Sequence, residues 1–583
     1  MIKDFTQNIP SLLFEFADRN GVKKPHFFTD PIKVIEANHI EDVIPSLLQV
    51  QEQVSKGLFA AGYVSYEAAP AFDSAFHVHS DEKMPLLWFG IFNEPVAKND
   101  LEPGSFSVSE WKPSIQGEEY HNGITKIKEA IENGDTYQVN YTTRLHAHFE
   151  GDDFSFYQQL ASAQDSDYCA YLNVGEYQIL SASPELFFRW DGDKIITKPM
   201  KGTVKRGKTV KEDEEKSSWL YHSEKNRAEN LMIVDLLRND LGGIAIPGTV
   251  QVDELFNVEQ YPTVLQMTST ISAKTEEQIG IVDIFSSLFP CGSITGAPKI
   301  STMKLIEELE DSPREVYCGA IGYISPRGES VFNVPIRTVI IDRQTQNAVY
   351  GVGGGITWDS TTQDEFNEIL TKASLLTEER PNFELLESIK LENGQYFLLD
   401  RHLHRLQQAA KYFNYRLRMD EIKTKLAEFA QKNNQSLLKV RLLVEKNGKF
   451  TVSGQPIISF EDSLDVKLSS TPIDKNDPYL YHKTTNRKVY DTQKTDSIKV
   501  FDVILWNQDG EVTEFTNGNI VVEIEEALYT PPITSGLLAG TFREELIQTG
   551  VIKERILTVQ DLKICKRIWF INSVRTWVEV KLV

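Results

Sequence analysis

The residues able to do chemistry in this chain gather around two lysines. Lys201 stands in Lys198-Pro199-Met200-Lys201-Gly202-Thr203, at the end of the strand-like run DKIITKP and against a glycine that lets a backbone approach a ligand closely. A lysine withdrawn from water gives up its proton readily and becomes a nucleophile. Taken alone, the stretch reads equally as a hairpin carrying a solvated lysine. Carboxylates follow. Glu229 lies in YHSEKNRAENLMIVDLLRNDLGG, a helix that Ser223 would cap and Gly242 would end. Glu229 shares a face with Met232 and Ile233, where it needs a partner, and Lys225 at i−4 would be one. In GVGGGITWDSTTQDEFNEILTKA a triple glycine, Gly353 to Gly355, precedes the capping box Ser360-x-x-Gln363. On the helix that follows, Glu365, Glu368 and Lys372 form one stripe, which is a solvated charged face or a site. Two half-buried glutamates on separate helices suit Mg²⁺, an ion held by one or two carboxylates plus substrate oxygens. Glu185 in SASPELFF marks a strand end, and Arg337 inside the apolar strand NVPIRTVIID is costly unless paired with a carboxylate.

The second lysine, Lys483 in DPYLYHKTTNRKVYD, follows an aromatic run, and by itself it too reads as a solvated turn. Downstream, Glu514 shares a strand face with Val512 after the Asp509-Gly510 turn, a half-buried position. Gly540-Thr541 head a helix whose free N–H groups would seat a phosphate, and Arg405 in HLHRL adds a cation. A lysine for an aldehyde, a carboxylate for a ring nitrogen and a phosphate seat are what pyridoxal phosphate requires.

These residues need a large scaffold. At 583 residues the chain is too long for one core. Basic residues number 61 against 84 acidic ones, so the net charge is 61 − 84 = −23, which disfavours nucleic acid and anionic membranes as partners. Four cysteines without CxxC spacing argue against disulfides and zinc. The opening MIKDFTQNIP lacks an apolar leader and no run of about 18 apolar residues occurs, so a cytoplasmic protein is expected. The expected fold class is α+β. Residues 1–110 read as an antiparallel sheet region, 111–380 as helices interleaved with strands, and 381–583 as a smaller mixed domain that begins where Arg380-Pro381 breaks a helix. That domain opens with the hairpin LLESIKLENGQYFLLD and the amphipathic helix HLHRLQQAAKYF.

Eight ordered blocks, YQVN, SPELFF, PMKGT, RAENLMIVDLLRND, FPCGSITGAPK, YCGAIGY, IRT and GGGITWDSTTQDEFNE, resemble the chorismate-utilising enzymes over residues 1–376. The family includes anthranilate, aminodeoxychorismate, isochorismate and salicylate synthases. Most of them have Ala at the third position of P-x-x-G-T; the aminodeoxychorismate synthases resemble this chain in having Lys there. The resemblance implies that Lys201 adds to C2 of chorismate as the 4-hydroxyl departs, and that ammonia then adds at C4 and expels it. It makes Glu185 the general acid or base near C2, and has Glu229 and Glu368 hold Mg²⁺ with Gly353 and Lys372 nearby. Tyr317 and Arg337 would hold the pyruvyl carboxylate. Thr295 and Gln138 would line the substrate site, Gln138 where water-adding relatives have Lys. Gln266 stands where relatives often have a His that assists loss of the hydroxyl. No segment resembles the G-x-C-x-G elbow of glutamine amidotransferases, so ammonia would come from a separate amidotransferase subunit.

Beyond residue 383 the blocks HLHRL, HKTTNR, EFTNGNI, GLLAGTFR and NSVRTW resemble the fold-type IV pyridoxal-phosphate enzymes, most of all the aminodeoxychorismate lyases. This implies that Lys483 binds the cofactor and moves protons, and that Glu514 keeps its ring nitrogen protonated. Arg405, Gly540 and Thr541 would hold the phosphate, Arg575 a substrate carboxylate, and the C-terminal domain would form a homodimer. Together the halves imply chorismate and ammonia converted to 4-amino-4-deoxychorismate, then to 4-aminobenzoate and pyruvate, serving folate synthesis. The alternatives are an anthranilate synthase large subunit with an appended transaminase, and a synthase with a catalytically silent C-terminal domain.

Overall fold

The computed structural model describes residues 10–97, 103–115, 117–378, 380–458, 464–493 and 500–583. The opening MIKDFTQNI, on which the expectation of no leader rests, lies outside them. The chain divides into two compact units, residues 1–205 with 217–380, and residues 206–216 with 381–583. The architecture is mixed α and β, with a larger unit built on antiparallel sheets and a second, smaller unit. No helix among the described residues is long and apolar enough to cross a membrane.

In the first unit the site is carried by β1 (Gln138–Gly151), β2 (Met200–Lys205), α1 (Glu224–Gly242), β3 (Val264–Lys274), β4 (Asn347–Ile356) and α2 (Thr362–Ala373). β1 and β4 pair antiparallel inside one ten-stranded sheet, with Gly353 opposite Thr142 and Gly355 opposite Asn140. β2 and β3 pair at the end of a second ten-stranded antiparallel sheet. The sheets share a core of Phe14, Phe28, Tyr63, Trp88 and Tyr323, with the rings of Phe14 and Tyr323 5.6 Å apart. α1 buries Ile233, Val234, Leu237 and Leu241, one helical stripe. Each such side chain taken from water contributes roughly 1.5–3 kcal/mol.

Ser223 caps α1 as expected, accepting a hydrogen bond from the Asn226 amide. Two local expectations are corrected. The cap of α2 is Thr361, which accepts from the Asp364 amide, while Ser360 donates instead to Glu365 at 2.7 Å. Arg337 is not inside a strand: it precedes Thr338–Asp342 with φ 55°, a left-handed turn that redirects the side chain.

The second unit opens with β5 (Leu385–Glu392), α3 (Leu399–Phe413) and β6 (Leu437–Val444). The expected hairpin turns at Asn393 and Gly394, both at positive φ. An eight-stranded sheet follows, including β7 (Val512–Phe515) and β8 (Asn519–Ile524). Pairing of β7 with β8 closes six of its strands into a ring, which leaves those strands no open edge. α4 (Thr541–Gln548) follows.

Candidate active sites

In the first unit, a cavity of about 350 Å³ is lined by Gln138, Glu185, Lys201, Glu229, Gln266, Tyr317, Arg337, Gly353, Glu368 and Lys372. Residues as far apart in sequence as Gln138 and Lys372 therefore share one wall. Lys201 reaches it from β2. Burial holds its amine below the ordinary lysine range, against the opposing pull of Glu229 and Glu185. Glu185 follows strand Tyr177–Ser183, is 3 % exposed, and accepts a 2.6 Å hydrogen bond from the Ser293 hydroxyl. Burial pushes its carboxyl up to about 7, although Ser293 and Lys201 pull it down, which suits proton transfer near neutrality.

Burial also raises Glu229. Glu368 is held down chiefly by Lys372, whose amine lies 2.5 Å away and also donates to the Gly353 carbonyl at 2.7 Å. On the same stripe Glu365 is buried and accepts from Ser360, while the Glu368 side chain keeps 43 % of its surface exposed, and Lys225 acts on Glu229 by charge. Both amide atoms of Gln138 are buried without a protein partner; a buried polar group of that kind is costly unless something binds it. The glycines make room. A Cβ on Gly355 would stand 1.8 Å from Gln138 Nε2 and 3.0 Å from Lys201 Nζ, and one on Gly351 2.3 Å from the Tyr317 ring.

Arg337 donates to the Lys372 carbonyl at 3.1 Å, and Tyr317 is buried under the Arg144 guanidinium. Gln266 is tied to β2 at both ends, accepting from Thr203 at 2.8 Å and donating to the Gly202 carbonyl at 3.0 Å. Thr295 differs from expectation. It is fully buried, donates to the carbonyls of Cys291 and Gly292, and is absent from the cavity wall. Ser293, two residues earlier in the same FPCGSITGAPK block, is the hydroxyl that lines the cavity.

In the second unit, Lys483, Glu514, Arg405, Gly540, Thr541 and Arg575 line one cavity of about 720 Å³. Burial, with Arg405 and Arg487 nearby, brings the Lys483 amine down to about 8. Glu514 on β7 is 3 % exposed, more deeply buried than expected, and accepts from Tyr490 at 2.9 Å, the Leu538 amide at 3.1 Å and Asn519 at 3.2 Å. Burial pushes its carboxyl up to about 8 despite those donors. Gly540 is the N-cap of α4; a Cβ there would fall 1.9 Å from Asn519 Oδ1.

Arg405 is not a free cation. Its Nε and Nη2 both donate to Glu387, and its Nη1 donates to the Ala539 carbonyl. Glu387 also meets His402 Nδ1 at 2.6 Å, and His402 Nε2 meets the Thr541 hydroxyl at 3.2 Å. Glu387 and His402 lay inside LLESI and HLHRL, but nothing in their spacing paired them. Lys439, Arg441 and Arg487 were also missed and line the same cavity. Arg575 donates to the Ile458 carbonyl at 3.1 Å.

Residues 96–378 match the family model of chorismate binding enzymes, and residues 384–583 match that of class IV amino-transferases. The chain is similar to chorismate binding enzymes over its first match and to class IV amino-transferases over its second. It is 40 % identical over 272 residues to aminodeoxychorismate synthase component 1 of Escherichia coli, covering 46 % of this chain and 58 % of that protein. It is 38 % identical over 254 residues to the Bacillus subtilis protein of the same name, covering 44 % and 54 %. The chain thus spans little more than half the length of these relatives. Among solved structures, anthranilate synthase component I from Streptococcus pneumoniae is similar, with TM-score 0.51 and 25 % identity over 65 % of this chain and 94 % of that one.

Proposed function

We propose that the first unit aminates chorismate at C4 and that the second eliminates pyruvate from the product to leave 4-aminobenzoate. The observation that carries this reading is the Lys201 amine on the wall of a cavity it shares with Glu185, Gln138, Glu229 and Glu368. Lys201, as the neutral amine, forms a bond to C2 while both ring double bonds shift and the 4-hydroxyl leaves as water, using a proton from Glu185 that the new ammonium at C2 then restores. Ammonia then bonds to C4, both double bonds return, the C2–N bond to Lys201 breaks, and the extra proton on the C4 nitrogen returns to the Lys201 amine. The sum is chorismate plus ammonia giving 4-amino-4-deoxychorismate plus water. Gln266, held at both ends by β2, carries no acidic proton, and we assign the donor to Glu185, the carboxyl on the wall that burial raises to about 7.

Glu229 and Glu368 would hold Mg²⁺, which supplies positive charge for the ring carboxylate. Among the described residues no third His, Cys, Asp or Glu joins them in a metal-binding group, so substrate and water oxygens would fill the remaining positions. Arg337, Tyr317 and Lys372 would orient the other carboxylate.

The second cavity fits pyridoxal phosphate by its donor set. Lys483 is a buried amine of lowered proton affinity, Gly540 leaves the backbone of a helix start open, and Glu514 is fixed by three donors. The bound cofactor supplies an electron sink. Lys483 would hold it and carry the proton, Glu514 would keep the ring nitrogen protonated, and Thr541 with the helix start at Gly540 would receive the phosphate, Arg405 adding charge through a guanidinium it already shares with Glu387. Ammonia would come from a separate amidotransferase subunit. A cytoplasmic setting fits cysteines 169, 291, 318 and 565, all unpaired.

The test is product analysis of the purified protein with chorismate, Mg²⁺, ammonium and pyridoxal phosphate. Equimolar 4-aminobenzoate and pyruvate support both assignments. Accumulated 4-amino-4-deoxychorismate removes the second, and 2-aminobenzoate overturns the first.

A further inference from the structure

Residues Arg206–Lys216 belong to the second unit although the rest of that unit begins at Pro381. Their contacts converge on the residue before Lys483. Arg206 and Asp213 are 8 % and 7 % exposed and form a buried ion pair, with Arg206 Nε donating to Asp213 at 2.8 Å. Asp213 also accepts from the Gly207 amide at 2.7 Å, and a Cβ on Gly207 would stand 2.4 Å from that of Glu212. The locked guanidinium lies over the Tyr412 ring, 4.3 Å from its centre, and donates to the Tyr412 carbonyl at 2.9 Å. Tyr412 returns its hydroxyl proton to the Gly207 carbonyl at 2.8 Å and stacks on His482, centroids 4.1 Å apart and planes 26° off parallel.

His482 is 6 % exposed and meets the Lys208 carbonyl at 3.0 Å through Nε2. A carbonyl only accepts, so that nitrogen carries the proton and the ring orientation is set. On the other side, the Lys483 carbonyl accepts from the Leu386 amide at 3.0 Å and the Thr485 amide donates to Glu384 at 2.9 Å. The main chain at Lys483 is thus pinned from both directions, by β5 after it and by Arg206–Lys216 before it.

We propose that Arg206–Lys216 supports the chain at Lys483 from outside the cavity that Lys483 lines, and that Arg206, Tyr412 and His482 are positioning residues which fix where the Lys483 amine stands. A buried ion pair is weak evidence for stability, since apolar replacement is often neutral; here the pair aims a stack at one peptide. The inference rests on the cofactor reading above only for what Lys483 does, not for how it is held. The groups that face the Lys483 amine are Arg405, Glu387, Arg487 and Glu514, and the stack contributes none of them. Its effect on Lys483 is therefore geometric, through burial.

The test uses the full-length protein as Arg206→Ala, Tyr412→Leu and the conservative Tyr412→Phe. In cofactor-free protein, the pH dependence of Lys483 acylation is followed by mass spectrometry. In a second measurement, pyridoxal phosphate is titrated by its visible absorbance. Arg206→Ala and Tyr412→Leu are expected to raise the acylation midpoint by on the order of one pH unit, as water reaches the amine, and to weaken pyridoxal phosphate binding about tenfold. Tyr412→Phe keeps the stack and stays near wild type. Should Arg206→Ala fail to fold, His482→Gln, which keeps a donor but loses the ring, is expected to show the same two shifts. Unchanged midpoint and affinity in folded Arg206→Ala, Tyr412→Leu and His482→Gln would overturn the proposal while leaving the cofactor reading intact. Wild-type protein that takes up no pyridoxal phosphate would sink that reading, and the acylation midpoints would still decide the positioning role.

Discussion

In Lys201 and Lys483 burial lowers the proton affinity of one side-chain type twice by the same means, withdrawal of its charge from water. Lys201→Ala removes the proposed nucleophile and leaves the cavity's carboxylates in place. It is expected to cut formation of the 4-amino product by about 10³-fold or more, as measured by chromatography, with chorismate affinity changed only a few-fold. A product yield near wild type would remove Lys201 from the chemistry. Glu185, raised to about 7, must carry its proton to act as an acid, so kcat/KM should fall as pH rises through about 7, while deprotonation of Lys201 acts in the opposite direction. The two groups interact, so the profile reports the pair. In Glu185→Gln the falling limb near neutrality should disappear along with most of the rate; a limb that persists assigns the acid elsewhere.

At the scale of elements, β4 separates two demands that its glycines meet. A Cβ on Gly353 would stand 2.1 Å from the Tyr141 carbonyl and 2.6 Å from the Thr142 Cα, both fixed main chain. Gly353→Ala is therefore expected to destabilise the first unit by about 1–3 kcal/mol in urea unfolding. The closest neighbour of Gly355 is instead the tip of Gln138, which can swing aside. Gly355→Ala should leave unfolding within about 1 kcal/mol of wild type and damage amination by displacing Gln138 toward Lys201. Equal stability losses in both variants would contradict this division.

In the second unit β5 and α3 meet at Glu387, whose carboxyl is held down to about 2 by Arg405 and His402 against the effect of burial. A depressed folded value means stability that is present above the unfolded value near 4.5 and is lost as pH falls through that window toward about 2. The loss is at most about 3 kcal/mol. Urea unfolding at pH 6 and pH 3 should show a smaller difference for Glu387→Gln than for wild type. An equal difference would mean that other carboxylates carry the acid sensitivity.

For the whole molecule, the proposed function assigns two separable reactions to two cavities with different donor sets. Lys483→Ala should accumulate 4-amino-4-deoxychorismate with no pyruvate released, measured by product analysis, whereas Lys201→Ala yields neither product. Undiminished pyruvate from Lys483→Ala would exclude the second cavity. Much of this organisation was legible beforehand, because it is written in local signals. Ser223 before α1, Asn393-Gly394 between strands and Gly540 before α4 each act within a few residues, through caps and positive φ, whereas the helix that Arg380-Pro381 was expected to break already ends at Ala373. The lysines and most of their companion carboxylates were visible as chemistry out of place. The tertiary structure alone decided which atoms meet: Ser293 rather than Thr295 facing Glu185, Glu387 occupying the fork of Arg405, and Arg206 supporting the stack beside Lys483. Such pairings join residues far apart in sequence. Burial, not spacing, sets the proton affinity of each lysine, and burial is a property of the packed chain.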